Sequence, residues 1–167
     1  MHAFGALLLI LALSGFGFIR TMDLKQRPRE LRMMLDAMTL LRNDIVSRTL
    51  PLPDALAHVG GTCRGSARTL FISSKDKLGS STQQFGSVWS DQVAQLSVLS
   101  REDRTVLCQL GAHLGQFDAQ AQGRAIDACI SALKRNEAQA SEYANQYSRL
   151  YTGLGLTLGA MLAVILY

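Results

Sequence analysis

Residues 118–167 read DAQAQGRAIDACISALKRNEAQASEYANQYSRLYTGLGLTLGAMLAVILY, and this run decides the class of fold. It holds no proline, and before Arg149 its only glycine is Gly123. Ile126, Cys129, Ile130, Leu133, Ala140, Ala144, Tyr147 and Tyr151 recur at helical spacing, the apolar stripe of an amphipathic helix. After Arg149 the polar face disappears, and Leu150 to Tyr167 carries no charge. The pattern predicts one helix from Asp118 through Leu166, amphipathic at first and apolar all round afterwards. Its polar part, at 1.5 Å per residue, spans roughly 48 Å. Tyr147 and Tyr151 fall where an interfacial aromatic belt is expected. Gly155, Gly159 and Ala163, spaced by four, form a small-residue stripe where another membrane helix can approach.

The other end of the chain mirrors this one. All charged residues lie between Arg20 and Arg149, so Ala3 to Ile19 is a second uncharged stretch. Its 17 residues sit at the lower limit for a membrane-spanning helix. A cleaved signal peptide is the competing reading, with small residues at Ala12 and Ser14. The charge order opposes it, because Arg20, Lys25, Arg27, Arg29 and Arg32 follow the apolar run and no basic residue precedes it. Basic residues flank the inner side of both segments, with Lys134, Arg135 and Arg149 before the second. The expected topology is therefore an integral membrane protein with two spans, 3–19 and 150–167, and a cytoplasmic domain, 20–149. Only Met1-His2 and Tyr167 would lie across the membrane. With 17 Lys+Arg against 13 Asp+Glu and a mean hydropathy of +0.13, the chain is neither a disordered segment nor, by default, a simple soluble enzyme.

Between the ends the reading is all-α, an antiparallel bundle of about six helices. Leu31, Met34, Leu35, Met38, Leu41 and Ile45 make the stripe of the first, with Pro28 in its opening turn. Pro51 and Pro53 stop it. A short second helix uses Ala55, Leu56 and Val59 and ends at Gly60-Gly61. The third runs from about Ser66 to Leu78 on Leu70, Phe71 and Leu78. The fourth carries Phe85, Val88, Trp89, Val93 and Leu96. The fifth starts at Ser100 as N-cap, with Glu102 and Asp103 in its first turn, and buries Val106, Leu107, Leu110 and Leu114 before Gly115 ends it.

Chemistry is sparse. Cys63, Cys108 and Cys129 form no CxxC pair, and Cys108 and Cys129 lie on apolar helix faces as small core residues. His58 and His113 have no metal-ligand spacing. Gly60 to Gly65 (GGTCRG) lacks the lysine end of a phosphate loop and follows no strand, so it reads as an interhelix loop. No basic patch carries the interleaved aromatics of a nucleic-acid binder, and lipid headgroups explain the Arg20–Arg32 cluster. No catalytic residue, cofactor or metal site is predicted.

Several strings then acquire a family likeness: Arg27-Pro28-Arg29-Glu30-Leu31-Arg32, Leu40-Leu41-Arg42-Asn43-Asp44-Ile45, Leu50-Pro51-Leu52-Pro53-Asp54-Ala55, and Leu110-Gly111-Ala112-His113-Leu114-Gly115-Gln116-Phe117-Asp118 with Gln122. Over essentially its whole length the chain resembles the stage III sporulation protein AB family. Arg42 departs from the acidic residue usual there. The resemblance implies a sporulation channel protein between mother cell and forespore, whose cytoplasmic domain is similar to the platform protein of type II secretion and type IV pilus machines. It implies a non-enzymatic, homo-oligomeric scaffold on the mother-cell side of the outer forespore membrane. Its partners would be a stage III sporulation AA-type ATPase, other channel proteins of the operon, and membrane lipid, with no nucleic acid. A two-span transducer or sensor is the alternative, and a membrane-bound enzyme the third.

Arg27, Pro28, Leu31, Arg32, Gly111, Gly115, Asp118 and Gln122 are the candidate structural or partner-contact residues. Gly115 suits a left-handed helix end, Asp118 a helix cap, and Gln122 the next turn of the same face.

Overall fold

The computed structural model describes residues 25–80, 84–115 and 118–166, and every regular element among them is helical. Helix α1 (25–42) passes directly into a π turn, Asn43–Ser47; α2 (Leu52–Thr62), α3 (Gly65–Ser80), α4 (Phe85–Ala94), α5 (Arg101–Gly111) and α6 (Ala119–Leu166) follow. The chain divides into two compact units, one of them Arg29–Ala138 and the other containing the described residues 25–28 and 139–166.

In the first unit α1 buries Leu31, Met34, Ala37, Met38 and Leu41 completely. Leu35, expected on this stripe, is only half-buried, because Ala37 lies closer to the helical phase of its neighbours. The π turn is closed by the Arg48 N–H donating to the Asn43 carbonyl at 3.0 Å, five residues back. In a regular α-helix, adjacent residues point roughly 100° apart. The wider turn accompanies the burial of both Asp44 and Ile45. Thr49 then takes φ +53, a left-handed conformation that costs a β-branched residue about 1–3 kcal/mol.

Pro51 is the N-cap of α2, with its carbonyl accepting from the Asp54 and Ala55 N–H groups at 3.0 Å. The helix does not stop at Gly60-Gly61 as expected but runs through both to Thr62. Packing explains Gly60: a Cβ there would stand 2.7 Å from Ile72 Cγ1 and 3.2 Å from the Ile72 nitrogen. The connection to α3 thus shrinks to Cys63-Arg64. Glu30, reaching from α1, accepts from the Ser66 N–H at 2.9 Å and satisfies one free donor at the start of α3. Of the apolar residues expected on α3, Leu70 and Phe71 are buried and Leu78 is half-buried; Ala67 and Ser74 complete the inner face.

Trp89 locks α4 into this core. Its ring meets Phe71 edge-on at 5.5 Å, and its Nε1 donates to the Leu107 carbonyl at 2.7 Å. At α5 the Ser100 hydroxyl accepts from the Asp103 N–H at 3.2 Å, while Asp103 accepts from the Ser100 N–H at 3.0 Å, a reciprocal capping box. Asp103 is wholly buried and also accepts from Asn136 Nδ2 of α6 at 2.8 Å. Val106 is half-buried, not buried as expected. The helix ends at Gly111, one turn before Gly115; a Cβ at Gly111 would run into the Trp89 indole, and one at Gly86 would meet the Gly111 carbonyl.

Helix α6 buries Ile126, Cys129 and Leu133 in this unit and lies antiparallel to α1. Arg32 Nε meets Glu137 Oε1 at 2.7 Å; ten residues on, Arg42 Nε meets Asp127 Oδ1 at 2.6 Å, ten residues back. Four further, Val46 Cγ2 would lie 2.7 Å from a Cβ at Gly123. Those three contacts fix one register. In the second unit Ala140 and Ala144 are buried, and the Tyr143 and Tyr147 rings lie 4.2 Å apart.

Among the described residues no helix is long and apolar enough to cross a membrane. Segment 3–19 lies outside the described residues, as do most side chains of 150–167.

Candidate functional site

One end of the Arg29–Ala138 unit gathers the π turn, the Arg48–Pro51 bend and the corner between α5 and α6. Asp44 is its centre. Its carboxylate is fully buried, with His58 Nδ1 of α2 at 2.7 Å from Oδ2 and Arg48 Nη1 at 3.2 Å from Oδ1. The Leu50 N–H donates to its main-chain carbonyl at 2.9 Å. A buried carboxylate requires such partners, since an unpaired charge in a core is strongly destabilising. His58 and Arg48 keep 41% and 59% of their side chains exposed, so the tie connects the core to the surface.

The corner stands beside it. Gly115 has φ +84, and a Cβ there would stand 3.5 Å from Leu52 Cδ2 at the start of α2. Its N–H donates to Gln122 Oε1 at 3.3 Å, which accounts for the burial of that glutamine. Asp118 Oδ1 accepts from the Gln120 N–H at 2.9 Å, capping α6, and Arg124 lies 3.8 Å from the same carboxylate. Gly123, one residue beyond Gln122, lets α6 approach Val46. Asp44 to Leu52 and the corner from Gly115 to Gly123 are far apart in the chain yet share this end.

The other candidates lie elsewhere. Gly111 sits one turn back, under Trp89. Leu31 is core, and Arg32 is exposed and paired with Glu137, towards the opposite end of α1. Pro28 is buried and Arg27 half-buried, with residues 25–27 already helical ahead of Pro28. Gly155 and Gly159 lie within α6, and the side chain of Ala163 lies outside the described residues.

The Asp44–His58 pair is absent from the sequence reading, which finds for His58 only that it lacks metal-ligand spacing. The one available signal was phase: Asp44 lies three residues after Leu41, on the apolar stripe.

Between α5 and α6 runs an open groove of about 170 Å³, lined by Val106, Leu110 and His113 on one side and Ala125, Cys129 and Ala132 on the other. Burial pushes the Cys129 thiol up to about 12, keeping it protonated and inert. Cys63 is raised too, by burial and then by the Asp36 charge. Among the described residues no group of three His, Cys, Asp or Glu could hold a metal ion.

The sequence pattern described as stage III sporulation protein AB matches residues 2–167. The chain belongs to the stage III sporulation protein AB family. Stage III sporulation protein AB of Bacillus subtilis (strain 168) is 24% identical over 165 residues, covering 97% of this chain and 96% of that one. A solved structure of stage III sporulation protein AB superposes with a TM-score of 0.64 at 25% identity, over 72% of this chain and 97% of that one. Family membership places the helical unit among sporulation proteins.

Proposed function

We propose that the chain is a non-enzymatic membrane platform of the mother cell–forespore channel. In this reading 3–19 and 150–167 span the outer forespore membrane and the helical unit lies on its mother-cell side. The unit meets a stage III sporulation AA-type ATPase and assembles with further copies of itself and with other channel proteins.

The antiparallel register of α1 and α6 is the observation that carries this. Traced toward the N-terminus from Arg32 and toward the C-terminus from Glu137, both helices leave the unit at the same end. The gathered end at Asp44 and Gly115 is the opposite one. A unit so built is suited to being held at one end while it offers the other to a partner.

Copurification of the full-length protein from detergent extracts with the AA-type ATPase tests it. Asp54 and His113 are exposed at the gathered end, and Asp54→Arg with His113→Glu should abolish retention of the ATPase and lower spore yield. Carbonate-washed membranes should retain the protein. Undiminished ATPase retention by the double variant, or release of the chain by carbonate, would contradict the reading.

A further inference from the structure

We propose that the Arg29 end of the Arg29–Ala138 unit is a docking surface for anionic phospholipid headgroups, built from Arg29 of α1, Arg64 and Arg68 at the start of α3, and Lys134 and Arg135 of α6. The proposal rests on the two-span reading above and names what this end of the unit meets there.

Two contacts of α1 set the level of these residues. Glu30 accepts from the Ser66 N–H at 2.9 Å, and Arg32 meets Glu137 at 2.7 Å. The start of α3 and the Lys134–Glu137 turn of α6 therefore flank the same turn of α1. Arg29, Arg64, Arg68, Lys134 and Arg135 are all exposed. Among the described residues none of them is paired with a carboxylate. Both carboxylates at this level are engaged, Glu30 by Ser66 and Glu137 by Arg32. Asp36, whose charge bears on Cys63, lies a further turn along α1. The surplus is positive.

The gathered end is balanced by comparison. There Arg42, Arg48 and Arg124 meet Asp127, Asp44 and Asp118 in turn. Helix energetics does not account for the surplus at the Arg29 end. The first turn of α3 holds no acidic residue but carries Arg68, with Arg64 just ahead of it. A helix is positive at its start and disfavours a cation there. An external anion offsets that cost, which nothing inside the unit does. The cations stand exposed on three separate helices, an arrangement for a broad charged surface and not for one enclosed ligand. Anionic headgroups attract each of them within a Debye length, about 8 Å at physiological ionic strength.

Hydrogen exchange of the full-length protein in nanodiscs tests the surface. The first N–H groups of a helix lack intrahelical acceptors, so exchange over residues 63–69 reports what covers them. Nanodiscs of phosphatidylcholine alone are compared with an equimolar mixture of phosphatidylcholine and phosphatidylglycerol. Exchange over 63–69 should slow several-fold in the mixture at low salt, and the slowing should vanish at high salt. Arg64→Gln with Arg68→Gln should remove most of it. Glutamine is a good helix former, so this variant keeps α3. Lys75→Gln with Lys77→Gln, the same loss of charge toward the other end of α3, should leave the slowing in place. Equal exchange in the two lipids, or slowing that survives in the Arg64 and Arg68 variant, would overturn the proposal. So would slowing produced by the AA-type ATPase in phosphatidylcholine alone, which assigns the surface to a protein. A chain that stays soluble without entering nanodiscs rejects the two-span reading and this surface with it. One that enters them and shows no lipid dependence rejects the surface alone.

Discussion

Arg42 Nε lies 2.6 Å from Asp127 Oδ1, joining α1 to α6 across 85 residues of sequence. The side chains are 37% and 50% exposed, so the pair contributes about 0.2–1 kcal/mol at most. Its value is in specifying register, together with Arg32 and Glu137. It also gives a physical account of the arginine at position 42, since the facing residue carries the opposite charge.

Reversing the sign at either partner tests that account. Arg42→Glu or Asp127→Arg should each lower stability by about 0.5–1 kcal/mol, because each places like charges face to face. The double exchange should recover most of the loss. Thermal unfolding in detergent at low and high salt gives the measurement, and a double exchange no better than either single variant would refute the pairing.

Asp44 should matter far more. Asp44→Ala empties a buried position and removes the shared partner of two part-exposed donors that water can still reach, at about 1–3 kcal/mol, while Asp44→Asn retains the shape and costs less. A double-mutant cycle of Asp44→Asn with His58→Ala should show coupling of about 1–2 kcal/mol. Additive effects would mean that the 2.7 Å contact carries no energy.

Two glycines should fail for different reasons. At Gly115, with φ +84, valine strains the backbone by about 1–3 kcal/mol. At Gly111 the conformation is ordinary, but alanine would drive a methyl into Trp89 and overpack the core by a similar 1–3 kcal/mol. Trp89 is the only tryptophan, so its fluorescence separates the two. Gly111→Ala should shift the emission and Gly115→Val should leave it in place. Asp118→Asn should be nearly silent and Asp118→Leu should cost about 1 kcal/mol, because only the first still caps α6.

The Cys129 thiol makes stability depend on pH in the alkaline range. Burial raises its folded pKa to about 12 from the ordinary thiol value of 9.0. Below pH 9 both states hold the proton and nothing changes. Above it the unfolded chain releases a proton that the native chain retains, so stability falls by up to about 1.4 kcal/mol per pH unit. Cys129→Ala lacks this dependence. The difference between wild type and variant should stay flat to pH 9 and shrink by pH 10.5, and a difference that stayed constant throughout would exclude it.

Much of this was readable from residue spacing. Helix order and the core positions Leu31, Met34, Met38, Leu41, Trp89, Leu107 and Leu133 follow from periodicity, because burial on one helix face is a local property. The Gly115, Asp118 and Gln122 corner is legible for the same reason, since its members lie within eight residues. Glycine was the weak point. Gly60 read as a terminator because sequence records the missing side chain but not the Ile72 that requires it. Gly111 is glycine for an equally non-local cause, the indole of Trp89. The pairs Asp44–His58, Glu30–Ser66 and Asp103–Asn136 join separate helices, and no spacing rule reaches across a bundle.

The ion pairs of α1 and α6, 85 and 105 residues apart in sequence, have a consequence for the order of folding. Helix α1 is completed by α6, which is synthesised long after it. Until α6 is synthesised, Arg32, Arg42 and Val46 lack the residues they meet on it, while α2 to α5 can assemble through near neighbours. Such long-range closure is slow and leaves apolar surface open to wrong contacts. A chain truncated before Ile126 should therefore be a target for chaperones and proteases, even with α1 to α5 all present.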